Sequence, residues 1–248
     1  MAVLVAAGAA PAGVIEDDFQ SYTVGDGLDG APGGTNWASG WSAVGGSTVQ
    51  AMPGATQAVR VKATDDQTMT RRFNALTGTV FLGLTIRVAD FTDDQFIQIQ
   101  LTDGAFGYQD ATVNVGIRNQ AGNPFYARLG KTTTNSTTHF ASNDVAYRLV
   151  ARFSPGGSGN YEQADLWVDP AAESDALAAS QGGKNTGISQ LTYFNVRTHN
   201  FGPSTLWVDD VRIGTSFGDV VPEPGTLALA ALGAAGLALR RRNGMRAR

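Results

Sequence analysis

The 248-residue chain has no cysteine, only two histidines, and four glutamates against 18 aspartates. The absence of cysteine excludes disulfides and thiolate nucleophiles, although it does not by itself assign a compartment. His139 and His199 have no partner at zinc-ligand spacing. Both read as solvated residues, His139 in a loop within the polar run 131–142 and His199 at a strand end. No glycine-rich segment follows a strand and opens a helix, so a phosphate cradle is unsupported. Basic residues are also scarce in the body. Residues 1–219 hold 13 Lys and Arg against 21 Asp and Glu, a net charge of −8, whereas the rest of the chain is +4. An acidic, glycine-rich body lacks the basic face that a nucleic-acid partner requires.

The end of the chain is the part with no acidic charge over a long stretch. Val221-Pro222-Glu223-Pro224 precedes an apolar run over 225–239, which is followed by Arg240, Arg241 and Arg242, with Arg246 and Arg248 behind. Leu and Ala dominate the run, and both favour helix. As a helix it would extend about 20 Å, short of the roughly 30 Å hydrocarbon core, so it suits temporary more than permanent anchorage. The arginines fit the cytoplasmic side, leaving the rest of the chain outside. Pro222 and Pro224 keep the preceding backbone extended and accessible. In this order the three parts resemble the PEP-CTERM sorting tail of exported bacterial proteins. That resemblance implies processing by an exosortase, transient residence in the inner membrane, and delivery to the cell surface or extracellular matrix. Val221, Pro222, Glu223, Pro224 and Arg240 to Arg242 are the residues that carry it.

At the other end, residues 1–12 are small and apolar, with Ala7-Gly8-Ala9 or Ala10-Pro11-Ala12 as small-residue cleavage sites. No Lys or Arg precedes them, so the segment reads as a signal peptide lacking its basic start. The expected organisation is therefore a signal segment over 1–12, one body over 13–219 and a sorting tail over 220–248.

Nearly every signal in the body has period two. Val80, Leu82, Leu84, Ile86 and Val88 alternate with Phe81, Gly83, Thr85 and Arg87. Ile97, Ile99 and Leu101 alternate with Gln98 and Gln100, and Val113, Val115 and Ile117 with Asn114 and Gly116. Such alternation marks half-buried antiparallel strands. Turn-rich segments such as 26–27, 119–124 and 155–159 separate about a dozen strands, and the one predicted helix spans 171–179. One acidic domain of this size with so many short strands is expected to be an all-β, two-sheet antiparallel sandwich.

The segments 17–22, 147–153, 164–170 and 208–214, with Gly40-Trp41 between the first two, are similar to the concanavalin A/laminin G-like jelly rolls often found on PEP-CTERM proteins. A galactose-binding-type jelly roll is the rival. The resemblance covers lectins, glucanases and adhesion modules. Glucanases of this fold carry Glu-x-Asp-x-x-Glu on one strand, since retaining chemistry needs two carboxylates about 5 Å apart. Here Glu162 is isolated, and Glu173-Ser174-Asp175 leads to Ala178 where the second Glu would stand. Gly214-Thr215-Ser216-Phe217-Gly218 fits the nucleophile-elbow pattern, but no histidine follows it. The body is thus expected to bind and not to catalyse, with glycan or exopolysaccharide as the partner; a ligand-free structural role is the alternative, followed by a polysaccharide-active hydrolase with an unfamiliar site.

Two sets of site residues follow. Trp37 and Trp41 with Asn36, and Tyr108, Asp110 and Tyr126 with Phe125, combine aromatic faces with amide or carboxylate groups as sugar sites do. The alternative for the tryptophans is burial at the end of the sandwich. In the last strand, Trp207, Val211 and Ile213 share a parity that puts Asp209 on the apolar side unless a bulge intervenes. If first and last strands lie side by side, Asp17 or Asp18 approaches Asp209 or Asp210, and clustered carboxylates of this kind suit Ca²⁺. The alternative is that Asp209 binds backbone amides or an arginine, or is turned outward by a bulge.

Overall fold

A computed structural model describes residues 13–43, 47–51, 57–62, 68–92, 95–104, 112–118, 122–201 and 204–221. The signal segment expected over 1–12 and the apolar run over 225–239 lie outside the described residues. Among the described residues, no helix is long and apolar enough to cross a membrane.

The body is a sandwich of two antiparallel sheets. In chain order the strands are β1 (Ile15–Asp17), β2 (Ser42–Ala43), β3 (Thr48–Ala51), β4 (Gln57–Lys62), β5 (Thr68–Leu76), β6 (Val80–Ala89), β7 (Phe96–Thr102) and β8 (Val113–Ile117). They continue as β9 (Pro124–Leu129), β10 (Thr132–Phe140), β11 (Ala146–Pro155), β12 (Tyr161–Val168), β13 (Ala179–Gly182), β14 (Leu191–His199) and β15 (Thr205–Gly214), and a short helix α1 (Phe217–Val220) follows. One sheet has the order β13-β12-β11-β6-β15-β4-β3, with β1 pairing β15 to make eight strands. The other has seven, in the order β10-β9-β8-β7-β14-β5-β2.

Period-two alternation explains why the two sheets stack. Val80, Leu82, Leu84, Ile86 and Val88 of β6 are buried on the inner face of the eight-stranded sheet. Ile97, Ile99 and Leu101 of β7 and Val113, Val115 and Ile117 of β8 do the same for the seven-stranded sheet. Together they form one continuous apolar layer, whose removal from water is the main favourable contribution to folding.

Four local expectations need correction. The span 171–179 holds no helix: the Asp175 carboxylate accepts from the amides of Ala171 and Ala172 and closes a turn in place of a helical ladder, and Ala179 opens β13. The run 131–142 is mostly strand β10, not loop. It sits at the sheet edge, where a polar Thr-rich strand needs only one partner. The sequence reads as a strand over 14–22, but β1 ends at Asp17: Asp17 and Asp18 accept from the amides of Phe19 and Gln20, and Phe19 takes a positive φ of 56° that ends the extended run. In β15 a bulge between Asp209 and Arg212 shifts the register against β6. Leu206 and Val208 therefore face the core before the bulge and Val211 and Ile213 after it, while Trp207 and Asp209 lie on the outer side.

Candidate functional site

The tryptophan set is internal. Trp41 is 2% exposed, and its indole N–H donates to Asp17 Oδ2 at 3.0 Å. Trp37 packs partly buried against the core and donates to the Glu16 carbonyl. Between them lies Arg71 of β5, 1% exposed, with its guanidinium 4.7 Å and 5.2 Å from the two ring centroids. Arg71 reaches across from the seven-stranded sheet to Asp17 of β1 at 2.6 Å, and its remaining N–H groups donate to the carbonyls of Pro32, Gly33 and Ser39. Tyr22 donates to the same carboxylate at 2.7 Å, and burial with the adjacent Asp17 pushes its phenol well above the ordinary tyrosine range. Every charge here has partners, which a buried ion pair requires. Trp37 and Trp41 thus act as a core plug, and Asn36 donates its amide to the Val14 carbonyl. This corrects the platform expectation.

The aspartate set is also divided. First and last strands do pair, with Asp17 opposite Val211. Asp17, however, turns inward to Arg71, whereas Asp209 and Asp210 lie on the outer side. Asp210 is held by Arg148 and by Arg212 at 2.9 Å. Asp209 Oδ1 accepts from the Asp210 amide, and partial burial, reinforced by the charges of Asp210 and Asp18, pushes its carboxyl up to about 6. Among the described residues no group of three or more His, Asp or Glu side chains is placed to hold a metal, so the shared Ca²⁺ site is not what these strands build. Ser216 of the Gly-x-Ser-x-Gly segment is the N-cap of α1 in a capping box with Asp219, at an extended φ of −133°, and not a nucleophile on a strained elbow.

A different surface gathers chemistry: the outer face of the seven-stranded sheet. The polar residues that alternate with the core side chains line up in rows across strands. In one row Arg197, Gln98, Gly116 and Tyr126 are successive partners on β14, β7, β8 and β9. In the next row the partners are Asn195, Gln100, Asn114 and Arg128. His199 pairs with Phe96 beyond the first row. No Asp or Glu stands in these positions.

The first row is tied together. Gln98 Oε1 accepts from Arg197 at 3.1 Å and from Gln100 at 3.2 Å. Arg197 lies over the Phe96 ring at 5.1 Å, and His199 stacks on that ring at 4.9 Å. Tyr126 fits where Gly116 has no side chain: a Cβ at Gly116 would meet the Ile97 carbonyl oxygen at 2.0 Å and the tyrosine ring at 3.4 Å. Its hydroxyl donates to that same carbonyl, and burial pushes the phenol well up, so it stays protonated.

The second row is incompletely satisfied. The amide nitrogens of Asn114 and Asn195 donate to Thr112 and Thr102. The side-chain oxygens of Gln100, Asn114 and Asn195 are buried with no hydrogen-bond partner among the described residues. An unsatisfied buried acceptor costs about 1–3 kcal/mol, so this row is a local cost to folding. Beside them opens a cavity of about 100 Å³ lined by Phe96, Gln98, Arg118, Tyr126 and Arg128. Arg118 makes no ion pair among the described residues.

Of the residues expected at a sugar site, only Tyr126 belongs to this surface among those described. Phe125 is in the core, and Tyr108 and Asp110 lie outside the described residues. Gln98, Gln100, Asn114, Asn195, Arg118, Arg128 and Arg197 went unrecognised. Their sequence signal was the identity of the outward residues in adjacent strands, which becomes a pattern only once the strand order is known.

Comparison with known proteins agrees with this architecture. Residues 220–242 match the PEP-CTERM protein-sorting motif. No curated protein matches the chain. Among solved structures, the chain is similar to a mutant of the alginate lyase Aly36B in complex with an alginate tetrasaccharide, with 10% identity, TM-score 0.55, and coverage of 84% of this chain and 98% of that one. It is similar to the Emp47p carbohydrate recognition domain with 9% identity, TM-score 0.51, and coverage of 82% and 95%. It is also similar to an endo-β-1,4-glucuronan lyase from Trichoderma reesei with 16% identity, TM-score 0.50, and coverage of 80% and 98%. At these identities the likeness is one of fold. The chain thus joins a jelly-roll β-sandwich body to a PEP-CTERM sorting motif over residues 220–242.

Proposed function

We propose that the body binds a polysaccharide on the outer face of the seven-stranded sheet, without turning it over. In this reading an exosortase-processed tail carries the body through the inner membrane to the cell surface or matrix. The observation that carries the binding reading is the open cavity on that face, lined by Phe96, Gln98, Arg118, Tyr126 and Arg128. Amide and guanidinium groups there can exchange hydrogen bonds with sugar hydroxyls, and the Phe96 ring offers an apolar face. The neighbours named above as a carbohydrate recognition domain and as lyases of alginate and glucuronan are consistent with carbohydrate at this fold.

The absence of turnover is inferred from the groups in the cavity. Its one hydroxyl, Tyr126, is held protonated by burial and hydrogen-bonded to Ile97, a poor state for a general base. Glu173 is paired to Arg152 at 2.9 Å and Glu162 accepts from Ser158 on the other side of the molecule, so neither provides an acid for hydrolysis. A glycan-array screen of the full chain in mild detergent tests the proposal. Saturable, structure-dependent binding is expected. A folded chain that binds no glycan overturns the binding reading, and release of unsaturated sugar ends from a polysaccharide overturns the non-catalytic half. The sorting half predicts that co-expression with an exosortase shortens the chain, and that replacing Pro222 and Pro224 with alanine prevents it.

A further inference from the structure

Resting on the binding reading, we propose that the cavity takes the carboxylate of a uronate residue, so that the ligand is an acidic polysaccharide. Two of the five cavity residues are arginines, and both are partly exposed. A guanidinium presents a planar fork of donors that matches a carboxylate in two parallel hydrogen bonds, a geometry neutral hydroxyls do not reproduce. Arg118, with no ion pair among the described residues, keeps that fork available. Gln98 and Tyr126 add neutral groups, and Phe96, backed by His199, adds an apolar wall.

Charge placement singles out this spot. On the outer side of the eight-stranded sheet, Arg148, Arg152 and Arg212 all meet carboxylates within 3 Å. At the cavity Arg118 makes no ion pair among the described residues, in a body whose net charge is −8. That net charge repels a polyanion, but over a screening length of about 8 Å at physiological salt. Contact inside the cavity is at hydrogen-bond distance, so the local attraction wins there. Size restricts the contact further. A cavity of about 100 Å³ receives the carboxylate edge of one sugar and not a length of polymer, so the chain of sugars lies across the opening.

Calorimetry of the full chain decides the matter, with four probes: a glucuronan or alginate oligosaccharide, the same oligosaccharide with its carboxylates methyl-esterified, a neutral cello-oligosaccharide, and a sulfated oligosaccharide. The uronate oligosaccharide is expected to bind at least about tenfold more tightly than the other three, the loss produced by removing one charge-assisted contact. Arg118→Ala is expected to lose the same factor with an unchanged melting temperature, and Arg118→Lys to restore only part, since an ammonium cannot form the fork. Equal binding of neutral and uronate probes, indifferent to Arg118→Ala, overturns the uronate inference and leaves glycan binding standing. Equal binding of sulfated and uronate probes overturns the carboxylate assignment in favour of general anion capture. No binding of any probe by a folded chain overturns both readings.

Discussion

The two outer faces of the sandwich contrast in how they treat charge. On the eight-stranded side, Arg148 meets Asp210, Arg152 meets Asp165 and Glu173, and Arg212 meets Asp210. That face is also covered in part: α1 lays Val220, with Phe217 and Val221, on a small cluster of Phe81, Val150 and Trp167. Arg148 donates to the Val220 carbonyl and holds the last turn in place. On the seven-stranded side the rows are arginine, amide and tyrosine, with a cavity lined by Phe96, Gln98, Arg118, Tyr126 and Arg128. One face is partly covered by α1 and ties its arginines to carboxylates, and the other carries the cavity. The folded body therefore ends on the closed face, where residues 220 and 221 already belong to the sorting motif, and the open face is the opposite one.

The largest effect is expected from the link between the sheets. Asp17→Ala strands the buried guanidinium of Arg71 and is expected to cost about 3–5 kcal/mol, read by chemical denaturation. A loss below about 1 kcal/mol would mean that the pair is not the inter-sheet tie described here. On the closed face, Gly83→Ala places a Cβ 2.6 Å from the Val220 carbonyl oxygen and 2.9 Å from its Cβ. The expected cost is about 1–3 kcal/mol with glycan binding unchanged, and reduced binding in a folded Gly83→Ala protein would break the separation of the faces.

On the open face the sign reverses. Gln100→Met removes a buried acceptor that has no partner among the described residues, at the expense of one hydrogen bond to Gln98. Thermal melting is expected to show stability held or raised by up to about 1 kcal/mol, while glycan binding falls. Stability lost together with binding would point to an ordinary core residue instead.

The smallest effect concerns Asp209, where protonation is tied to folding. Its folded value of about 6 lies above the ordinary 3.8, so the native state holds the proton more tightly than the unfolded chain. The resulting contribution is complete below the ordinary value and is lost as pH rises through about 6, leaving a half-buried charge at neutral pH. Asp209→Asn is accordingly expected to raise the melting temperature at pH 7 by about 2–4 °C, the effect of ~1 kcal/mol in a domain of this size. No gain is expected near pH 4, and an equal gain at both values would rule out titration as the cause.

Much of the fold was legible beforehand because burial on one side of a strand writes itself as alternation. β6, β7 and β8 were visible in that way, whereas the side-by-side placement of the first and last strands followed from the jelly-roll resemblance. The errors came where side chains competed with the backbone. Asp175 turned a helical composition into a turn, and the carboxylates of Asp17 and Asp18 ended β1 early. The bulge at Asp209 and Asp210 inverted the parity assigned to Trp207. Among the described residues Tyr126 alone of the expected sugar-site set lies on the outer face of the seven-stranded sheet, because aromatic content does not distinguish a ring that plugs a core from one that lines a cavity.

The two-sheet sandwich and the sorting motif are written in local order: the alternation of apolar residues, and an apolar run between prolines and arginines. Which polar residues act together depends on how the strands are arranged in space. Gln98, Asn114, Arg128 and Arg197 are scattered over four strands, and hydrogen-bond register across a sheet, not proximity along the chain, sets them side by side. The same register sent Asp17 to Arg71 and away from Asp209, because a carboxylate entering the core is stable only where a buried cation already waits.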